Sequence, residues 1–466
     1  MKNIIFRISR NEFEALKTIF EEAGENETQA FVLCTRAESK NETIFIAKNF
    51  IFPGQNDFEE KSPVSIVPTA EFQASAYGLG YDLGLSVFDV HTHPFFGKAC
   101  LSPTDYRHGK KNAKSVSDIY PSGNVMGMVV FNRSMDSFEG VVWNQEKNDF
   151  DYVDNLEILG SPIQILPEPE NHRKDETYAR HRIIPGWNQN TLGQLKVIVA
   201  GLGGNGALVF QSLLCLGVGE NGGWIQACDS DVVEESNLSR IPYAESSDVG
   251  KSKAVVAEQY ALKKCISVHC HEQKAEGLED IAKEAHILIG AVDSEGCRKF
   301  LNSISNRYLI PYIDISTEII PDGDQYKSLG QVHAGIPGQT GCLMCSGLID
   351  VSEAAMDHLT EEQNAERKKA GYVRETNETP TPSVIHLNGI ACNLAIAKMI
   401  DLIFGKTPEN GFLNYCQNDY SLLAASDKPN PDCPVCGRNG YLGDGDEVLY
   451  ENSERAYSAH KFDEIN

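Results

Sequence analysis

His91 and His93 stand one residue apart in the run His91-Thr92-His93-Pro94, and Asp105 follows twelve residues after the second of them, in Ser102-Pro103-Thr104-Asp105. Side chains at i and i+2 of an extended chain point the same way. Two imidazoles at a strand end can therefore meet one zinc ion, with Asp105, at the start of a helix, as third ligand. Zinc with three protein ligands keeps a fourth position for water and lowers its pKa to about 7, which is hydrolytic chemistry. A second group suits nucleotide phosphates. The apolar run Leu195 to Ala200 leads into Gly201, Gly203, Gly204 and Gly206, and a second strand, Trp224 to Cys228, ends on Asp229. Glycines there let backbone N–H groups approach a phosphate at a helix N-terminus, and a carboxylate about twenty residues on accepts hydrogen bonds from ribose hydroxyls. Finally, Cys342-Leu343-Met344-Cys345 and Cys433-Pro434-Val435-Cys436 supply four thiolates, a closed tetrahedral zinc shell of structural character.

The elements that carry these groups alternate in type, so the fold class is α/β. The first 155 residues open with a strand, Ile4 to Ile8, and an amphipathic helix, Asn11 to Glu22. Strands at Ala30 to Thr35 and Thr43 to Phe50 follow, then a helix from Thr69 to Leu79 and a buried strand, Leu85 to Val90, which delivers His91. Residues 161–190 are rich in proline and charge, the composition of an exposed linker. After Arg240 come a helix from Lys251 to Lys264, a strand near Ser267, a strand from His286 to Gly290, a helix from Glu295 to Asn306 and a strand from Tyr312 to Ile315. Such alternation implies a mostly parallel sheet covered on both faces.

Bulk composition narrows the function classes. A chain of 466 residues predicts two or three domains, and a formal charge of −25 argues against nucleic acid as a direct partner. No apolar run approaches the about twenty residues that span a bilayer, and the N-terminus lacks the apolar core of a signal peptide, so the expected location is the cytoplasm, away from membranes. Thirteen cysteines do not read as a disulfide framework; beyond the two pairs, most lie in apolar surroundings, as at Cys215 and Cys228.

From about residue 175 to 440 the sequence resembles the ThiF/MoeB family of adenylating enzymes. Asp229, Asp231, Ser236-Asn237-Leu238 and Arg240 stand in that family's D-x-D…S-N-L-x-R signature. Lys253, in Gly250-Lys251-Ser252-Lys253, is placed like its phosphate-binding lysine, and Asp293, Arg298 and Asn302 resemble its D-x-x-x-x-R-x-x-x-N segment. The resemblance implies a Rossmann-like domain with a four-cysteine zinc site that uses ATP and magnesium to adenylate the C-terminal glycine of a ubiquitin-like carrier protein. Asp293, at a strand end by the switch point, is the expected magnesium ligand, and it also suits a helix N-cap. Arg180, in the short helix expected at Tyr178 to Ile184, would reach the partner subunit's ATP site, which implies a homodimer. Many relatives take the carrier on a crossover cysteine, yet no cysteine occurs from Ser346 to Ala391, and Cys392 lies in the apolar helical run Val384 to Phe404. Three routes stay open: transfer to an external nucleophile such as a conjugating enzyme's cysteine, an oxyester on Thr376, Thr379, Thr381 or Ser383, or peptide modification.

The N-terminal motif resembles the JAMM/MPN metalloprotease family, which cleaves ubiquitin-like proteins from conjugates. The resemblance implies an α/β JAMM/MPN fold, a catalytic zinc on His91, His93 and Asp105, Ser102 stabilising the tetrahedral intermediate, and an upstream glutamate as base. Glu27 sits where that glutamate belongs, with Glu25, Glu38 and Glu42 near enough to compete. The spacing from the histidines to Ser102 is one residue longer than the commonest version. Together the two resemblances describe a fusion similar to bacterial ubiquitin-like conjugation cassettes, with spans 1–155 (hydrolase), 156–190 (linker and arginine-bearing helix), 191–440 (adenylating domain) and 441–466 (acidic tail, partly disordered). Alternatives are activation of a sulfur carrier for cofactor synthesis, and a scaffold whose hydrolase half is inert.

Overall fold

The computed structural model describes residues 2–54, 56–121, 123–168, 176–262, 267–357, 382–405 and 411–447. The chain divides into two compact units. The first comprises Met1–Ile158, Gln164–Glu168 and Gly443–Asn466; the second comprises Leu159–Ile163 and Pro169–Leu442.

In the first unit the strands are β1 (Asn3–Ser9), β2 (Thr28–Glu38), β3 (Glu42–Ile51), β4 (Phe58–Ser62), β5 (Ser65–Pro68), β6 (Ser86–Thr92), β7 (Met126–Phe131), β8 (Phe138–Asn144), β9 (Asp149–Tyr152), β10 (Asn155–Leu159) and β11 (Gln164–Leu166). Nine of them form one mixed sheet in the order β11-β10-β1-β3-β2-β6-β7-β8-β9, while β4 and β5 pair separately. Helix α1 (Arg10–Glu22) is capped by Ser9, whose hydroxyl accepts the Glu12 N–H. It lays Phe13, Leu16 and Phe20 on one sheet face, against Phe88 and Val90 of β6 and Phe131 of β7. Helices α2 (Ala70–Leu83) and α3 (Pro103–Ile119) cover the other face, where Phe72 and Ala76 meet Val87, and Ala113 and Val116 meet Met126, Met128 and Val130. Strand alternation then puts Asp89 and His91 on the Val87 side, the side of α3. The buried pair Arg7 and Glu157 (2.7 Å) joins β1 to β10.

The second unit continues with α4 (Gln189–Gln194), β12 (Lys196–Ala200), α5 (Gly204–Leu216), β13 (Trp224–Cys228), α6 (Lys253–Ala261), β14 (Val268–His271), α7 (Glu279–Ala282), β15 (Ile287–Gly290), α8 (Glu295–Arg307), β16 (Tyr312–Asp322), β17 (Gln325–Gly335), α9 (Val351–Asp357), α10 (Ile385–Phe404), β18 (Phe412–Cys416) and β19 (Ser421–Ala425). Their sheet runs β14-β13-β12-β15-β16-β17-β18-β19. The pairs from β14 to β16 are parallel, and those from β16 onward antiparallel. The parallel part has the βαβ form expected of a nucleotide domain, and α5 follows β12 directly at the glycines.

Several details differ from the sequence reading. Part of the supposed linker is strand: Gln164–Leu166 pairs with β10. The stretch around Tyr178 is a single 3-10 turn, Glu176–Tyr178, followed by hydrogen-bonded turns rather than a continuous short helix. The start of the acidic tail is ordered against the first unit: Thr35 Oγ1 donates to the Gly443 carbonyl (2.6 Å), the Glu38 N–H donates to Asp446 Oδ2 (2.8 Å), and Lys48 pairs with Asp444. Cys215 is exposed, while Cys228 is buried as expected. Finally, α10 is a 20-residue helix long and apolar enough by composition to cross a bilayer. Here it is a core helix, burying Leu387, Ala391, Ala395 and Met399.

Candidate active sites

In the first unit β6 ends in His91 and Thr92, and α3 begins at the Ser102 cap. The cap is reciprocal: the Asp105 N–H donates to Ser102 Oγ (3.2 Å), and the Ser102 N–H donates to Asp105 Oδ2 (2.6 Å). Pro103 at the first helical position fixes the entry. The cap aims Asp105 Oδ2 at His93 Nε2 (3.5 Å) and His91 Nε2 (3.9 Å). One donor atom from each of His91, His93 and Asp105 falls within 4.8 Å of the others. Edges of a tetrahedron with bonds of about 2.1 Å are about 3.4 Å, so the spacing suits a metal.

A second observation agrees: His91 Nε2 is buried without a hydrogen-bond partner, a costly arrangement unless something occupies its lone pair. Without metal, burial works against a charge on His91, but Asp105 and Asp89 outweigh it and raise its pKa to about 10. Asp105 is also penalised by burial, yet the two imidazoles hold it well below the usual carboxylate range.

Of the competing glutamates, the fold brings Glu27 to this cluster, with Oε1 at 3.8 Å from His93 Nε2. Its backbone N–H is fixed by the Ser62 carbonyl (2.9 Å). Burial raises its pKa, the charges of His93 and His91 oppose this, and Asp105 adds to it. Glu25 is exposed, Glu38 pairs with Lys2 and Arg36, and Glu42 lies at the start of β3. Asp89, which sequence reasoning passed over, accepts from His91 Nδ1 at 3.3 Å. The signal was available in its position two residues before His91 on the same strand.

In the second unit the glycine turn between β12 and α5 leaves no room for side chains at Gly201, Gly204 and Gly206, while Gly203 has open space around it. A Cβ on Gly206 would lie 1.8 Å from the Gly201 carbonyl oxygen, and Gly201, at φ +89°, would put one 2.5 Å from the Ala291 carbonyl. Gly203 caps α5 without a side-chain bond, so no cap side chain takes up the first N–H groups of the helix, which an anion can use. Asp229 braces the turn, accepting from the Leu202 N–H (2.7 Å) and the Asp231 N–H (2.8 Å). Burial raises its pKa, and the charge of Lys253 opposes. Lys253 Nζ bonds Asp231 Oδ2 (2.8 Å) and lies 3.9 Å from Asp229 Oδ1. Arg240 Cδ stands 3.0 Å from where a Gly204 Cβ would be, and its guanidinium donates to the Ser236 carbonyl (3.3 Å). Asn237 is buried, accepting the Glu234 N–H (3.2 Å). Asp293 is exposed just after the Ala291 and Val292 that face Gly201.

The helix expected at Asp293 is capped by the next residue, Ser294, which accepts the Cys297 N–H. Arg298 and Asn302 serve the interior. Arg298 makes a two-pronged pair with Asp314 (2.7 and 3.2 Å), and Asn302 Oδ1 accepts the Leu343 N–H (3.0 Å) inside the first cysteine turn. Arg180 is exposed. Ser383 bonds Asn388 (3.3 Å), whose Nδ2 stands 2.1 Å from where a Gly204 Cβ would be, so this hydroxyl lies beside the glycine turn. Thr376, Thr379 and Thr381 lie outside the described residues. Cys392 is buried and its Sγ donates to the Asn205 carbonyl (3.0 Å); burial pushes its pKa up to about 12, which suits packing rather than attack.

Cys342, Cys345, Cys433 and Cys436 converge, with Sγ separations of 3.9, 3.7 and 3.3 Å along Cys342–Cys345, Cys342–Cys433 and Cys345–Cys436. Four Zn–S bonds of about 2.3 Å give edges of about 3.8 Å. The N–H groups of Asn430 and Val435 point at Cys345 and Cys433 (3.4 Å each). The Cys436 thiol, against the penalty of burial and with smaller help from the Cys345 backbone N–H and the Asn302 and Cys433 side chains, lowers the Cys342 pKa to about 5. Ser346 bonds His333 (3.1 Å) and Asp427, tying the approach to Cys433 onto β17.

The second unit is similar in sequence to known proteins. Residues 178–435 match the model of the ThiF family. The SAMP-activating enzyme E1 of Haloferax volcanii is 26% identical over 280 residues, covering 57% of this chain and 90% of that protein. The sulfur carrier protein adenylyltransferase of Thermus thermophilus is 26% identical over 276 residues, covering 56% of this chain and 90% of the relative. Among solved structures, E. coli MccB overlays with a TM-score of 0.45 at 23% identity, covering 59% of this chain and 75% of that one. Because the family match spans more than half of the sequence and contains the glycine turn, Asp229 and Lys253, the chain belongs to the ThiF family.

Proposed function

We propose that the second unit adenylates the C-terminal glycine of a ubiquitin-like or sulfur carrier protein. The observation that carries this reading is the glycine turn braced by Asp229, with Lys253 held beside it by Asp229 and Asp231. The carrier carboxylate attacks the α-phosphorus of ATP, forming the acyl-phosphate bond as the bond to pyrophosphate breaks. N–H groups at the start of α5 and the Lys253 ammonium, released from Asp231, stabilise charge on the phosphates. Asp229 accepts the ribose hydroxyls. Asp293 would hold magnesium, which supplies Lewis acidity at the phosphates. Arg180 is proposed to act on a partner subunit's nucleotide in a homodimer. Names of the relatives support a protein carrier as substrate, and intact-mass detection of a carrier bearing AMP tests it. Absence of AMP transfer to any glycine-ended carrier contradicts it.

The first unit is proposed to hydrolyse the bond after the same glycine, maturing or releasing the carrier. The supporting observation is the buried His91 Nε2, which has no hydrogen-bond partner and lies with donor atoms of His93 and Asp105 within 4.8 Å. Zinc bound there would supply Lewis acidity to a water and the scissile carbonyl. Glu27 takes the water's proton and gives it to the leaving amine, and Ser102, its Oγ fixed by the cap, donates to the developing oxyanion.

With Cys392 buried, transfer of the carrier to a conjugating enzyme is the favoured next step. Ser383, bonded to Asn388 beside the glycine turn, is the alternative acceptor proposed among the described residues. The four-cysteine cluster is proposed to hold structural zinc. Cys342→Ser is expected to remove one zinc per chain and to cost at least about 4 kcal/mol, a modest share of the value of structural zinc in small peptides. That equals a fall of about 10 °C in the thermal midpoint, measured by calorimetry; an unchanged midpoint counts against a stabilising metal.

A further inference from the structure

Asp89 sits in β6, flanked in register by Phe31 of β2 and Met128 of β7. A carboxylate between apolar neighbours in the middle of a nine-stranded sheet is expensive unless it has a partner. Its partner is His91: Oδ1 lies 3.3 Å from Nδ1. Beyond it lies a cavity of about 210 Å³ lined by Tyr77, His108 and Asn112 as well as Asp89 and His91. The opposite ring nitrogen, Nε2, is the buried atom without a hydrogen-bond partner, facing Asp105 at 3.9 Å.

We infer that Asp89 is a positioning residue: by accepting the Nδ1 proton of His91 it fixes the ring's orientation and tautomer, so that the Nε2 lone pair is presented to a zinc ion shared with His93 and Asp105. An imidazole binds metal through an unprotonated nitrogen, and its other N–H is commonly held by a carboxylate that raises ligand basicity. Asp89 and His91 are two residues apart on one strand face, so the sheet itself sets the alignment. The inference rests on the reading of the first unit as a zinc hydrolase and adds to it a residue that touches neither metal nor substrate.

The full-length chain, loaded with zinc, is titrated with a chromophoric chelator, the four-cysteine zinc serving as internal reference. Asp89→Leu and Asp89→Ala, which lack an acceptor, are expected to weaken the first-unit zinc by about 10- to 100-fold. Asp89→Asn, which keeps an oxygen at the same place, retains most of the affinity, and the reference zinc is unchanged in all three. Cobalt substituted at the same site reads orientation independently: its visible absorption shifts in the Leu and Ala variants and stays close to wild type in Asn. Wild-type affinity and spectrum in both acceptor-free variants, with two zinc ions per chain throughout, would overturn the role of Asp89 while leaving the hydrolase reading intact. A wild-type chain holding one zinc only, lost on Cys342→Ser, overturns the metal reading itself.

Discussion

Glu27→Gln is expected to lower zinc-dependent cleavage of a carrier fusion by about 10²- to 10⁴-fold, the usual contribution of a positioned general base. The amide keeps the shape of the side chain but cannot take a proton from water. Glu27 is 6% exposed and 3.8 Å from His93, and burial already favours its protonated form, so it is poised to accept a proton and return it. Zinc content and adenylation should be unchanged, because Glu27 is outside the ligand set and belongs to the other unit. Cleavage within threefold of wild type, read by gel or mass spectrometry, would remove Glu27 from the mechanism.

The second large effect belongs to the nucleotide site. Lys253→Ala is expected to reduce carrier-dependent AMP transfer by about 10²- to 10³-fold, as for other groups aimed at developing charge. Gly206→Ala should be at least as damaging, for a different reason. Its Cβ would meet the Gly201 carbonyl at 1.8 Å, so the turn must open before α5 can present its N–H groups. Lys253→Ala should weaken ATP binding with the fold intact, whereas Gly206→Ala should also lower the thermal midpoint. Equal activity in both variants and wild type would rule out this turn as the phosphate site.

Much of this was legible in the residues because local spacing carries it. The strand, glycine turn and helix from Leu195 to Leu216 follow from an apolar run broken by glycines. His91 and His93 share a side by strand alternation, and Ser102 with Asp105 spells the helix cap that opens α3. What escaped depends on contacts distant in sequence. Glu27 is the glutamate the sequence already favours, but its approach to within 3.8 Å of His93, which Glu25, Glu38 and Glu42 do not share, comes from packing and not from spacing. Strand β16 was expected to stop at Ile315 but runs to Asp322, because its polar second half is held by pairing with β17. Gly443 to Glu447 read as tail because it lacks periodicity, yet it is fixed through backbone groups of Arg36 and Glu38 that no pattern announces. Arg298 matched a motif and turned out to face Asp314 in the interior.

The most direct measurement is exchange of labelled pyrophosphate into ATP by the purified chain, with a glycine-ended carrier and with the same carrier lacking its last glycine. Exchange is expected to be rapid with the first, at background with the second, and lost in Asp293→Ala. Exchange that is indifferent to the glycine, or absent with every glycine-ended carrier tried, would contradict adenylation of the carrier glycine.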